Sequence, residues 1–404
     1  MKILFLDAYF KPEQIAFTHL ENDLLEGFVE AGNDIEIVCP IPTRGVSAEV
    51  LEQYKNKKIE SLYDGHVHVT RFYAPQEGKN PLVRALRYFW CNFRTYQIAK
   101  KVKNVEAVFA NSTPPTQGWI AGKVAKQHGA PFIYSLQDVF PDSLVTTGLT
   151  KQGSFLWWIG RKLENATYKN CSKIIVISES MKKNLLQKGV QEKYIQVISN
   201  WIDLNAIHPI PKEKNKLFDE LRINRNKFIV LYAGNFGAAQ GAEIVLDVAE
   251  KMLNRSNIQF VIFGGGAGYE YAVERSKMLP NVFIHSLLSQ ERVSEVYSMG
   301  DVALITCKKG VGKSGMPSKT WSIMACNTPI IASFDLDSEL DRVLKDANAG
   351  YAVKPEDVDA LTKEILDFYL KTKSYSNARA FLEKFASKGI CVNAYLSVFK
   401  EVTT

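Results

Sequence analysis

The stretch KFIVLYAGNFGAAQG (227–241) runs an unbroken apolar segment, Phe228 to Ala233, into a turn with glycines at 234, 237 and 241. A strand with one wet face alternates apolar and polar residues, whereas an unbroken run bounded by turn formers is buried on both faces. Gln240 and Gly241 then open a helical pattern. Strand, glycine turn and helix start, in that order, are one unit of a parallel doubly wound sheet.

The same grammar repeats outward. Downstream, IQFVIFGG (258–265), NVFIH (281–285), DVALIT (301–306), TPIIAS (328–333) and GYAVK (350–354) read as buried strands, most followed by a helical pattern. Upstream, ILFLDAY (3–9), DIEIV (34–38), EAVFA (106–110), PFIYS (131–135), KIIVIS (173–178) and IQVIS (195–199) read likewise, with helices at 19–31, 115–128 and 179–188 between them. The alternation breaks only at 200–226, a stretch mixing proline, asparagine and lysine that reads as a linker. The chain therefore divides into two α/β domains, 1–203 and 204–380, each with a doubly wound Rossmann-like sheet. The helical segment 381–404 belongs to neither repeat and is expected to cross back to the first domain. A length of 404 residues suits two cores better than one.

Composition narrows the partners. A formal net charge of +7 fits anionic substrates or an anionic membrane surface and is too small an excess to imply nucleic acid. The six cysteines show no C-x-x-C or zinc-type spacing, which predicts reduced thiols of a cytoplasmic protein and no metal site. The apolar run behind Met1-Lys2 meets Asp7 at once, too short for a signal peptide core, and no run is long enough to span a bilayer. His66 and His68 alternate along a strand-like segment and read as surface residues rather than metal ligands. DLD (335–337), which has the spelling of a metal motif, follows a strand beside Ser338-Glu339 and reads as a loop and helix cap.

Two doubly wound domains in series bind ligands at the C-terminal edges of their strands, in a cleft between them. The second domain has three junctions suited to phosphate: Gly234, Asn235, Gly237 and Gln240 after the opening strand, Gly264 and Gly265 after the next, and the stretch KSGMPSKTWSIMACNTPIIAS (313–333). Glycines let backbone approach an anion, and a helix N-terminus adds donors. In the third junction Pro317 suits a first helical turn and leaves the amides of Ser318 and Lys319 to donate. A lysine at the positive end of a helix is unfavourable unless an anion lies between it and those amides, so Lys319 is expected to hold a phosphate, with Lys313 as a second positive arm.

The order GNFGAAQG, FGGG, PSK-x-x-x-x-MA-x-x-TP-I-I-A-S, Ser338-Glu339 and G-Y-x-V-x-P (350–355) resembles the family 4 glycosyltransferases of the GT-B fold. NSTPPTQ (111–117), LQDVFPDSLVTTG (136–148), ISESM (177–181) and SNWID (199–203) are similar to the capsule, O-antigen and colanic-acid group within it, which includes N-acetyl-fucosaminyl transferases. The resemblance covers nearly the whole chain. It implies a retaining, metal-independent transfer from a nucleotide-diphosphate sugar, without a cofactor, to a saccharide linked to undecaprenyl diphosphate in capsule, O-antigen or exopolysaccharide synthesis. It favours UDP and an N-acetyl amino sugar. The donor site it implies takes in Gly234, Asn235, Gly237, Gln240, Gly264, Gly265, Lys313, Ser314, Gly315, Met316, Pro317, Ser318, Lys319 and Ser322.

The sequence also departs from the pattern. Where many members carry a Glu-x7-Glu pair, Ser314 and Ser322 stand, and Asn235 and Gln240 replace the usual Arg and Lys. Lys319 is left as the main cation for a leaving diphosphate, whose developing charge preorganised donors stabilise. The missing carboxylates also leave open a non-catalytic binding subunit; they argue against a nucleotide-sugar 2-epimerase. In the first domain Asp138, after a strand, and His19, near the first strand-to-helix turn, are placed to meet an acceptor hydroxyl. Two aromatic segments, NPLVRALRYFWCNFRTYQIAKKVK (80–103) and SFLWWIGRK (154–162), predict a peripheral protein on the inner face of the plasma membrane, with Arg84, Arg87, Arg94, Lys100, Lys101 and Lys103 toward anionic lipid.

Overall fold

The structure is a computed structural model that describes residues 1–13, 17–76, 81–146, 148–312 and 316–404. Contacts divide the chain into two units, Met1–Asn200 with Gly389–Thr404, and Trp201–Lys388. The first unit holds β1 (Lys2–Leu6), β2 (Asp34–Pro40), β3 (Ile59–Leu62), β4 (Val67–Phe72), β5 (Ala107–Asn111), β6 (Phe132–Leu136), β7 (Lys173–Val176) and β8 (Ile195–Val197). They form one sheet in the order β3-β4-β2-β1-β5-β6-β7-β8. Pairing is parallel except at the edge, where β3 runs antiparallel to β4. The sequence pattern suggested a purely parallel sheet and missed β3: its four residues are at best half-buried, so they carry no apolar run.

The second unit holds β9 (Phe228–Asn235), β10 (Ile258–Gly265), β11 (Val282–Ser286), β12 (Val302–Thr306), β13 (Ile330–Ser333) and β14 (Gly350–Val353), all parallel, in the order β11-β10-β9-β12-β13-β14. Because side chains alternate along a strand, β9 feeds two cores. Ile229, Leu231 and Ala233 enter the cluster with Phe263, Ile305 and Met324, while Val230 and Tyr232 enter that with Ile262, Leu304 and Ile331. This two-sided burial is why the run 228–233 has no polar interruption.

The last helix, Lys388–Thr403, packs on the first unit. Phe399 lies 4.7 Å from Phe28 and 5.8 Å from Phe109, ring centre to ring centre. Tyr395 and Ser135 share a hydrogen bond of 2.9 Å, and Lys173 pairs with Glu401 at 2.7 Å. Gly27 makes this approach possible: a Cβ there would stand 2.2 Å from Cγ1 of Val392.

All six cysteines are free and buried. Among the described residues no helix is long and apolar enough to cross a membrane, and no cluster of His, Cys, Asp or Glu is grouped to hold a metal. His66 and His68 are exposed, with His66 Nδ1 2.9 Å from Asp34. Asp335 accepts from the amides of Gly310 and Gly312, and Ser338 caps the helix Glu339–Asp346, so the DLD segment is a loop and cap.

Candidate nucleotide-sugar site

In the second sheet the chain winds from β9 toward β11 on one side and from β12 toward β14 on the other, so the switch in winding falls between β9 and β12. A crevice at the C-terminal ends of these two strands is where such sheets take ligands. The glycine turn after β9 and the helix Lys319–Ala325, which lies between β12 and β13, both belong to this point.

Lys319 begins that helix, as its sequence position predicts, but does not aim along its own amides. Its Nζ donates to the carbonyl of Ala233 at 3.2 Å and lies 4.4 Å from the ring centre of Tyr232. The helix has only seven residues, and it is the ammonium, not the helix terminus, that meets the end of β9. The residue is half-buried overall while its charged end lies inside, and that burial pushes its pKa down to about 8. Among the described residues no carboxylate makes an ion pair with it. Ser322, three residues on, shares this helix face and is half-buried.

Gly234 serves the lysine directly, since a Cβ there would lie 2.8 Å from Nζ of Lys319. The other glycines are explained by the protein's own packing. A Cβ on Gly264 would meet the rings of Phe236 and Tyr269 at 2.8 Å, and one on Gly237 would meet Oε1 of Gln240 at 2.5 Å. Asn235 turns its amide toward Gly266, which takes φ +92°. Gln240 and Gly241 do not open the helix directly; it starts at Ile244. Met316 packs against the core, Pro317 accepts from the amide of Thr320 at 3.0 Å, and Ser318 is exposed. Lys313, Ser314 and Gly315 lie outside the described residues.

Three groups here escape sequence reading because they sit in apolar runs or behind the lysine. Tyr232 donates to the carbonyl of Asn235 at 3.0 Å, and burial pushes its hydroxyl up to about 12. Thr306 at the end of β12 and Thr320 beside Lys319 are buried; Thr306 pairs with the Tyr232 hydroxyl, opposing the rise that burial gives it, and the Thr320 hydroxyl has no partner among the described residues.

In the first unit, Asp138 lies two residues past β6 and His19 in the first turn of the helix Thr18–Glu30 after β1, two strands away in the sheet. Both residues are exposed. The chain around the Asp138 carboxyl nonetheless raises its pKa, opposed by a hydrogen bond from Ser143 and reinforced by Asp142. Asp7 and Glu21 form a fully buried carboxyl pair that the sequence did not flag. Asp7 accepts from Asn111 at 3.0 Å, and burial raises it to about 7; burial and the neighbouring Asp7 raise Glu21 as well.

The aromatic segments become the helices Pro81–Ala99 and Phe155–Tyr168. Leu86, Phe89, Trp90 and Phe93 are exposed on the first, and Phe155, Leu156, Trp158 and Ile159 on the second. Arg87 corrects the sequence expectation. It is 1% exposed and donates from Nε to Pro75 O at 2.9 Å and from Nη2 to Thr43 Oγ1 at 2.7 Å, because its place on the helix faces the sheet rather than solvent. Lys100, Lys101 and Lys103 follow the helix end.

Comparison with known proteins agrees with the geometry. Residues 22–206 match the model of Glycosyltransferase Family 4 and residues 213–384 that of Glycosyl transferases group 1. The probable glycosyltransferase WbjE of Pseudomonas aeruginosa is 26% identical over 348 residues, 81% of this chain and 85% of that protein. The putative colanic acid biosynthesis glycosyl transferase WcaI of Escherichia coli K12 is 26% identical over 270 residues, 66% of each chain. Among solved structures, Anabaena HepE in complex with UDP superposes with a TM-score of 0.71 at 15% identity, covering 99% of this chain and 100% of that one. WaaG, a glycosyltransferase involved in lipopolysaccharide biosynthesis, gives 0.65 at 13% identity, covering 97% and 99%. With both halves of the chain matched and the fold shared over its length, the protein belongs to the family 4 glycosyltransferases and has the GT-B fold.

Proposed function

We propose that this glycosyltransferase moves a sugar, with retention, from a UDP-linked N-acetyl amino sugar to an undecaprenyl-diphosphate-linked saccharide during synthesis of a surface polysaccharide. The observation that carries the reading is Lys319: a buried ammonium at the switch point, resting on a carbonyl and an aromatic face. A cation without a counter-charge there is poised for an anion, and the diphosphate of a donor would supply it. As the glycosidic bond breaks, charge accumulates on the departing UDP, and a fixed ammonium stabilises that charge more than it stabilises the bound donor. Gly234 leaves room for this contact. On this reading no divalent ion takes part, and Ser322, on the same helix face as Lys319, stands where the family resemblance puts the second carboxylate.

A relative named for colanic acid biosynthesis, and a structural neighbour solved with UDP, support the substrate class. The exposed apolar faces of the helices 81–99 and 155–168 support work at a membrane surface on the cytoplasmic side, where a lipid-linked acceptor is found. Calorimetry of UDP against the full chain in EDTA tests the metal-free donor site. Binding in EDTA is expected; binding that vanishes and returns only with Mg²⁺ or Mn²⁺ would overturn it.

A further inference from the structure

The helix Lys319–Ala325 carries the donor-site lysine on its first residue and makes only about two turns. A helix so short does not hold its own position; its packing and its two ends do. Among the described residues its N-cap, Ser318, makes no side-chain cap bond. The C-terminal carbonyls, in contrast, are all met. Ser322 O accepts from the amide of Cys326 at 3.2 Å, Ile323 O from that of Thr328 at 3.2 Å and Met324 O from that of Asn327 at 2.9 Å. Ala325 O, the last, is met from 54 residues downstream, by Nη1 of Arg379 at 2.8 Å.

Arg379 belongs to the helix Ala378–Phe385, which packs against the lysine's helix; Ala378 and Leu382 share a core cluster with Trp321, Ile323 and Met324. Its guanidinium holds two further carbonyls. Nη1 also donates to Ile207 O at 3.1 Å, and Nη2 donates to Leu204 O at 2.8 Å. A turn presents these two, closed by Asp203, whose Oδ1 accepts from the amides of Asn205 at 2.8 Å and Ala206 at 3.2 Å. The turn lies in the stretch 200–226 that joins the two α/β repeats. Glu383 stands 3.6 Å from Nε and is 58% exposed, so it contributes little to the clamp.

A guanidinium is planar, always charged and carries its donors in a fixed fork, so it fixes the spacing of the groups it holds. Capping a helix end calls for that helix's carbonyl alone. Three carbonyls from two segments, gathered on one fork, also fix the helix against the linker turn. At about 1.5 Å per residue the helix is roughly 10 Å long, so a shift of its last residue is carried to its first. There Nζ of Lys319 rests on the Ala233 carbonyl and the Tyr232 ring, and a displacement of about 1 Å is enough to spoil a contact of this kind.

We propose that Arg379 is a positioning residue for Lys319: by clamping the far end of the lysine's helix to the turn 203–207, it sets where the ammonium meets the donor diphosphate. The inference rests on the reading of Lys319 as the cation of the diphosphate and adds the side chain that holds that cation in place.

UDP binding to the full chain, measured by calorimetry across a double-mutant cycle, tests this. Arg379→Lys keeps a positive charge and loses the fork, and it should weaken UDP about five- to tenfold in a protein that still melts cooperatively. Lys319→Ala should weaken UDP as well. A residue that acts through Lys319 has no effect once the lysine is gone, so adding Arg379→Lys to Lys319→Ala should change UDP affinity by less than about twofold. A merely structural residue would weaken binding by the same factor in both backgrounds. Arg379→Gln, which keeps one amide donor and no charge, carries the test if Arg379→Lys does not fold; failure of both to fold would make Arg379 a residue of the fold alone and overturn the proposal. Normal UDP affinity in a folded Arg379 variant, or losses that multiply in the double variant, would overturn it too and leave the donor reading standing. Unchanged affinity in Lys319→Ala would contradict the donor reading itself, and the proposal with it.

Discussion

Lys319 is a lysine whose surroundings favour losing its proton. Burial holds its pKa at about 8, so in the empty protein it is charged at neutral pH and neutral well above pH 8. A bound diphosphate favours the charged form and raises that value again. UDP binding at about pH 8 should therefore draw a proton from solution, while at about pH 6, where the lysine is already charged, it should draw none at this group. Calorimetry in buffers of different ionisation enthalpy reads this directly. Equal heats across buffers at the higher pH would show that Lys319 does not meet the diphosphate. Its position was legible in the sequence because Pro317 and Ser318 mark the helix start. Its partners were not: Tyr232 and Ala233 look like any core strand, and only the fold lays the end of β9 beneath an ammonium eighty-odd residues away.

Elements whose burial is two-sided announce themselves, and those that depend on a distant partner do not. β9 and β10 fall within a residue of the apolar runs that predict them, whereas β3 is too short and exposed to show. The helix 81–99 was legible as amphipathic, but which arginine faces the sheet depends on Thr43 and Pro75, residues the helix pattern does not contain. Its exposed aromatics lead to an expectation at this scale. The protein should co-sediment with anionic vesicles and be released by high salt, since charge attraction is screened within about 10 Å at 0.1 M. Replacing Phe89 and Phe155 by Ser should reduce the bound fraction; equal binding to neutral vesicles, or none to either, would contradict the membrane reading. The last helix offers a second test. Gly27→Ala places a methyl against Val392 and should cost about 1–3 kcal/mol of stability by overpacking. Val392→Ala in that background should restore part of the melting temperature. An unchanged melt for Gly27→Ala would mean that the helix does not dock as described.

At the scale of the molecule, two sheets built on one plan carry different chemistry at the same topological place. The second has glycines after its first strand and a lysine beside its fourth; the first has Asp7 and Glu13 after β1 and Arg44 and Gly45 after β2. This asymmetry underlies the proposed division, donor in the unit 201–388 and acceptor in the unit 1–200. The claim on which the rest depends is that Lys319 stabilises the leaving diphosphate, and steady-state release of nucleoside diphosphate by Lys319→Ala measures it most directly. With a panel of UDP-sugars as donors, turnover should fall about 10² to 10³-fold, equivalent to roughly 3 to 4 kcal/mol, and donor affinity should fall less. Lys319→Arg should recover only part, because a planar fork does not replace a point charge. A folded Lys319→Ala protein turning over at close to the normal rate would contradict the account.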